Sequence, residues 1–128
     1  MLVIFACPPE SDADGLPRGE VIPKIVSSTD TKYSYAIYLP SYYTEEKTFP
    51  VIFAFDPVAR GPVPVGRFEE AAEKYGYIVV ASNNSRNGLR NFESGAIIRN
   101  MVEETLARFS INRNRVYLTG FSGGARLH

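Results

Sequence analysis

The chain has 128 residues, 14 basic and 14 acidic side chains, a formal net charge of zero and 45% hydrophobic residues. This is globular composition, with no basic stripe to bind nucleic acid and no apolar run near the roughly 20 residues that span a bilayer. Its single cysteine, Cys7, excludes an internal disulfide framework and a cysteine-rich metal site.

The N-terminal run Met1-Leu2-Val3-Ile4-Phe5-Ala6-Cys7 has the form of a lipoprotein signal's tail, in which a cysteine follows a small residue. It lacks a basic n-region, and its apolar stretch is shorter than the roughly 7–15 residues of a signal peptide. A lipid-anchored or extracytoplasmic location is therefore weighed against a cytoplasmic one and against a disordered end carrying a free thiol. Pro8 to Gly19 is rich in Pro, Gly, Ser and Asp and reads as a linker. Residues 1–20 are expected to be disordered, with a domain over 21–128.

Ile22 to Ser28 is a short β-rich run interrupted by Pro23. After the polar turn Thr29–Lys32, Tyr33 to Leu39 alternates. Tyr33, Tyr35, Ile37 and Leu39 face one way, and Ser34, Ala36 and Tyr38 the other. The period of two predicts a strand, and the pair predicts an antiparallel hairpin. Val51-Ile52-Phe53-Ala54-Phe55 is apolar throughout, as a strand covered on both faces must be. It stops at Asp56-Pro57, and a loop follows through Pro62. From about Gly66, Phe68, Ala71, Ala72 and Tyr75 keep helical spacing until Gly76, a helix C-terminal stop.

Tyr77 to Ala81 is a second buried strand, and Ser82 to Asn91 a polar loop. A helix is predicted from Ser94 to Phe109, capped by Asn91 or Ser94. Ile98, Met101, Val102, Leu106 and Phe109 form its apolar stripe. Glu104 and Arg108 form a favourable i,i+4 pair. Asn112-Arg113-Asn114 reads as a turn and Val116 to Thr119 as a third buried strand. The sum is a hairpin followed by β-α-β-α-β, which implies a parallel sheet with helices on both faces.

That last strand runs into Gly120-Phe121-Ser122-Gly123-Gly124. The run fits G-x-S-x-G, the strained strand-to-helix turn that presents a serine nucleophile at the edge of an α/β sheet. Gly120 and Gly124 stand where larger side chains would collide. The N–H of Gly123 opens a helix and is placed to hold an oxyanion. The bland alternative is a Gly-rich turn that binds a phosphate or merely packs. The run is neither G-x-G-x-x-G nor a P-loop.

With these residues in view, the chain resembles the α/β-hydrolase esterases, in particular the polyhydroxybutyrate-depolymerase and dienelactone-hydrolase-like groups. The likeness rests on Tyr35 to Pro40, Phe49 to Pro57 and Arg113 to Ala125, and covers about Val21 to Ala125. It implies an α/β-hydrolase fold, present here as its N-terminal half. It also implies a serine ester hydrolase acting through an acyl-enzyme on Ser122, on a small-molecule or polymeric ester, with no metal or organic cofactor. In the family the strand before the first helix usually ends in His-Gly, and the next residue completes the oxyanion hole. Asp56-Pro57 takes that place here, so the resemblance puts the second donor at Val58, to within a residue or two. Asp56 otherwise reads as a turn residue bonding its own backbone. Asn83, Asn84 and Ser85 are weighed as substrate contacts against a solvated loop, and Arg60 as an anion ligand against an exposed arginine.

In the family the triad acid and histidine follow the serine. His128, the only histidine, would stand about 9 Å along the helix after Ser122, out of reach of its hydroxyl. These 128 residues are therefore expected to be inactive alone, and to leave their last parallel strand as an unprotected edge. A non-catalytic binding module and a related acyltransferase or peptidase remain as alternatives. The sequence sets no oligomeric state.

Overall fold

A computed structural model describes residues 15–120. The elements run β1 (Val21–Val26), β2 (Ser34–Tyr38), β3 (Phe49–Phe55), α1 (Pro62–Tyr75), β4 (Ile78–Ser82), α2 (Asn91–Arg108) and β5 (Ile111–Gly120). The strands form one sheet in the order β1-β2-β4-β3-β5. β1 and β2 make the expected antiparallel hairpin, and β2 lies antiparallel to β4. β4, β3 and β5 are parallel. Before β1, part of the stretch expected as linker packs on this sheet: Gly19 N–H donates to the Leu39 carbonyl, and Leu16 lies against the core.

The alternation in β2 separates two cores rather than core from solvent. Tyr35 and Ile37 join Val51, Phe53, Phe55, Ile78 and Val80 on the face covered by Met101 and Phe109. Ala36 and Tyr38 join Ala54, Val79 and Ala81 on the face covered by Val65 and Ala72 of α1. Each helix thus buries one face of the sheet, which is why β3 and β4 read as unbroken apolar runs.

Several boundaries differ from expectation. α1 begins at Pro62, not near Gly66. Proline breaks a helix interior, but in the first turn its missing N–H leaves no bond unmade. Gly76 caps α1 as expected, with φ 78° and its N–H donating to the Ala72 carbonyl. α2 begins at Asn91, and neither Asn91 nor Ser94 caps it. The Glu93 carboxylate instead accepts the Arg90 N–H at 2.9 Å. Ile97, unassigned in the predicted stripe, is buried with Met101. The expected turn at Asn112–Asn114 lies inside β5 as an irregularity, where the register passes from Phe49↔Ile111 to Val51↔Val116. β5 is the edge strand and is not fully buried, with Tyr117 46% and Leu118 37% exposed.

Glu104 departs furthest from its sequence reading. It pairs with Arg108 at 3.2 Å, but its residue is only 2% exposed. Its carboxylate also accepts bonds from the Tyr35 hydroxyl at 2.8 Å and from the Ser28 hydroxyl and N–H. Burial pushes this carboxyl up, and the bonds from Ser28, Tyr35 and Arg108 more than reverse it, leaving it below the usual range. Burial and the adjacent carboxylate push the Tyr35 phenol up. One side chain thereby ties α2 to β2 and to the turn after β1.

Replacing Glu104 by Ala would leave the Tyr35 hydroxyl buried without its acceptor. The expected loss is about 2–4 kcal/mol in urea unfolding. A loss under about 1 kcal/mol would show the node to be incidental.

Candidate functional site

Parallel strands end at one edge, and ligands of open α/β sheets bind at the carboxyl ends. Here that edge carries the loop 56–61 after β3, the loop 83–90 after β4, and the end of β5. Gly120, the first residue of G-x-S-x-G, is the last residue of β5 and pairs with Phe55, the last of β3. The chain therefore leaves β5 directly beside the loop that begins at Asp56. Ser122, Gly123, Gly124 and His128 lie outside the described residues, as does Cys7.

Asp56 organises the first loop. It is buried, and one carboxylate oxygen accepts the N–H groups of Val58 at 2.9 Å and Arg60 at 3.1 Å. The Arg60 guanidinium closes on both carboxylate oxygens at 3.0 and 3.1 Å. Asp56 is thus the turn residue of its simpler reading, and Arg60 is its partner. Burial pushes the Asp56 carboxyl up, while the Arg60 fork and the two N–H groups outweigh it and hold it below its ordinary value. The turn also holds Ala59 at φ 63°, a left-handed conformation costly for a residue with a Cβ.

Val58, the expected second oxyanion donor, is 56% exposed. Its N–H is donated to Asp56, so an oxyanion there would have to share it or draw it away. Gly61 follows where α1 starts close over the end of β4. A Cβ at this position would collide with the Asn83 side chain and lie 2.8 Å from the Ala81 carbonyl oxygen.

The second loop is built from side chains that bond the backbone. Asn83 Oδ1 accepts the Gly61 N–H at 3.0 Å, and its Nδ2 donates to the Pro23 carbonyl at 3.2 Å. Asn84 Oδ1 accepts the Ser34 N–H at 2.9 Å. Ser82 Oγ accepts the N–H groups of Asn84 and Ser85. Asn83 and Asn84 therefore stitch the end of β4 to β1, β2 and α1. The Ser85 hydroxyl is buried and has no partner among the described residues. The two loops clasp each other: Asn87 N–H donates to the Pro57 carbonyl at 2.8 Å, and Val58 pairs with Arg86 in an isolated antiparallel bridge. Arg86 carried no sequence signal beyond being an arginine in a polar loop.

Among the described residues no group of three His, Cys, Asp or Glu side chains could hold a metal ion, and no helix is long and apolar enough to cross a membrane.

No protein-family model and no curated protein sequence matches the chain. Solved structures do match it. An acetyl xylan esterase from Aspergillus awamori superposes with TM-score 0.64 at 21% identity, over 84% of this chain and 44% of that one. A candidate dipeptidyl aminopeptidase IV from Bacteroides ovatus gives 0.62 at 22%, over 88% and 19%. An esterase from Thermogutta terrifontis, solved with butyrate bound, gives 0.59 at 18%, over 88% and 44%. The same esterase has been solved phosphonylated by sarin. At these identities the likeness establishes the fold: the chain has the α/β-hydrolase fold and spans less than half the length of these structures.

The folded-state pKa of Asp56 lies below its unfolded value. Its stabilising contribution is therefore complete above about pH 4 and lost as pH falls through the folded value. Between about pH 6 and about pH 2, the wild type should lose more stability than Asp56→Asn, measured by urea midpoints. Equal losses would contradict the role of the ionised carboxylate.

Proposed function

We propose that the protein carrying this chain is a serine carboxylic-ester hydrolase with Ser122 as its nucleophile. The observation that supports it best is the pairing of Gly120 with Phe55. That register ends β5 at the carboxyl edge of the sheet, beside the β3 loop, at the residue where the G-x-S-x-G sequence begins. Structural likeness to esterases agrees with it.

On this reading Ser122 Oγ attacks the ester carbonyl and loses its proton to a histidine base. The carbonyl oxygen becomes an oxyanion, held by the Gly123 N–H and by an N–H at or beside Val58. Collapse expels the alcohol, which takes the proton from the histidine. Water then attacks the acyl-enzyme with the same base and releases the acid. The base and its orienting carboxylate belong to chain that follows His128, in the portion of the neighbours' length that this sequence does not span. The Asp56–Arg60 pair keeps the β3 loop in shape, so that Val58 stays at the edge while its N–H is exchanged between Asp56 and the oxyanion.

A peptidase with the same nucleophile is the second reading, favoured by the likeness to the Bacteroides protein. The full-length protein should hydrolyse p-nitrophenyl butyrate faster than dipeptidyl p-nitroanilides, and Ser122→Ala should lower kcat by about 10⁴-fold or more. Faster anilide cleavage would favour the peptidase. Ester turnover surviving in Ser122→Ala would remove the serine from the chemistry.

A further inference from the structure

Beside the proposed oxyanion loop lies a groove of about 490 Å³, formed by the β4–α2 loop, the first turns of α2 and the turn that precedes β2. Its volume is that of a small-molecule site. Leu89, Phe92 and Ile97 form an apolar wall, with Lys32 and Arg86 at its rim. Phe92 is 68% exposed, a large apolar side chain that the core does not use.

The arginines and lysines of the described residues are unevenly committed. Arg60 and Arg108 are each paired with a carboxylate. The guanidinium of Arg86 has no hydrogen-bond or ion-pair partner among the described residues. Lys32 stands 3.8 Å from Asp30, and both side chains are exposed, so that pair is weak. Glu93, the one acid lining the groove, accepts the Arg90 N–H and keeps its negative charge, so Lys32 and Arg86 together leave the lining with a net positive charge. A groove with one apolar wall and a net positive polar lining suits a molecule with an apolar body and an anionic end.

Position links the groove to the chemistry. The backbone of Arg86, which lines the groove, bridges Val58, the proposed oxyanion donor. From β5, which leads to Ser122, to β4, which leads to Arg86, is two strand spacings across β3, or about 10 Å. We propose that this groove is a substrate subsite that selects esters whose apolar chain ends in a carboxylate about 10 Å from the scissile carbonyl. The proposal rests on the esterase reading and adds the substrate class.

Two matched pairs test it on the full-length protein: p-nitrophenyl hemisuberate against p-nitrophenyl octanoate for the acyl side, and 8-acetoxyoctanoate against octyl acetate for the alcohol side. The carboxylate member of one pair should be preferred at least about fivefold in kcat/KM. Arg86→Gln should bring that ratio near unity, and Arg86→Lys should retain most of it. No preference in either pair, or a preference that Arg86→Gln leaves intact, would overturn the subsite while the esterase reading stands. Hydrolysis of none of the four, or of p-nitrophenyl butyrate, would overturn the esterase reading and the subsite with it.

Discussion

The parallel pairing of β3 with its two neighbours is the constraint from which the rest of the structure follows. β3 bonds β4 on one side and β5 on the other. Val51, Phe53, Ala54 and Phe55 are buried within it. A strand enclosed in this way cannot slip by one residue without exchanging its two faces, Val51, Phe53 and Phe55 for Ile52 and Ala54. The register is therefore held by packing, and with it the alignment of Phe55 with Gly120. The candidate site inherits its precision from that alignment.

Two carboxylates use the same local device for different ends. Asp56 and Glu104 each pair with an arginine four residues on, and each is held ionised against the cost of burial by bonds that require the charge. Glu104 lies buried under β2 and joins α2 to β2 and to the turn after β1, giving the helix a fixed seat. Asp56 lies at the edge itself and folds the β3 loop back on its own N–H groups. One carboxylate secures the scaffold, and the other shapes the loop beside the end of β5. The clasp between Pro57–Val58 and Arg86–Asn87 makes the two edge loops a single wall.

Much of this was legible in the sequence because it rests on local pattern. The unbroken apolar runs of β3 and β4, the alternation of β2, the Gly76 stop and the turn role of Asp56 each follow from residues within a few positions of one another. What was missed depends on place within an element or on distant contacts. Pro62 and Pro64 resemble loop residues until they are placed in a first helical turn. Glu104 has the spacing of a surface pair. Its burial comes from Tyr35 and Ser28, 69 and 76 residues away in sequence. Asn83 and Asn84 looked like solvated loop residues because the backbone groups they satisfy belong to β1, β2 and α1.

The serine turn gives the edge its proposed chemistry. The most direct measurement is a structure of the full-length protein after reaction with a fluorophosphonate. The predicted result is a phosphonyl group on Ser122 Oγ, just past the end of β5, with its oxygen facing the Gly123 N–H and the β3 loop at Val58. An adduct on another residue, or a phosphonylated Ser122 turned away from the β3 loop, would contradict the placement of the nucleophile.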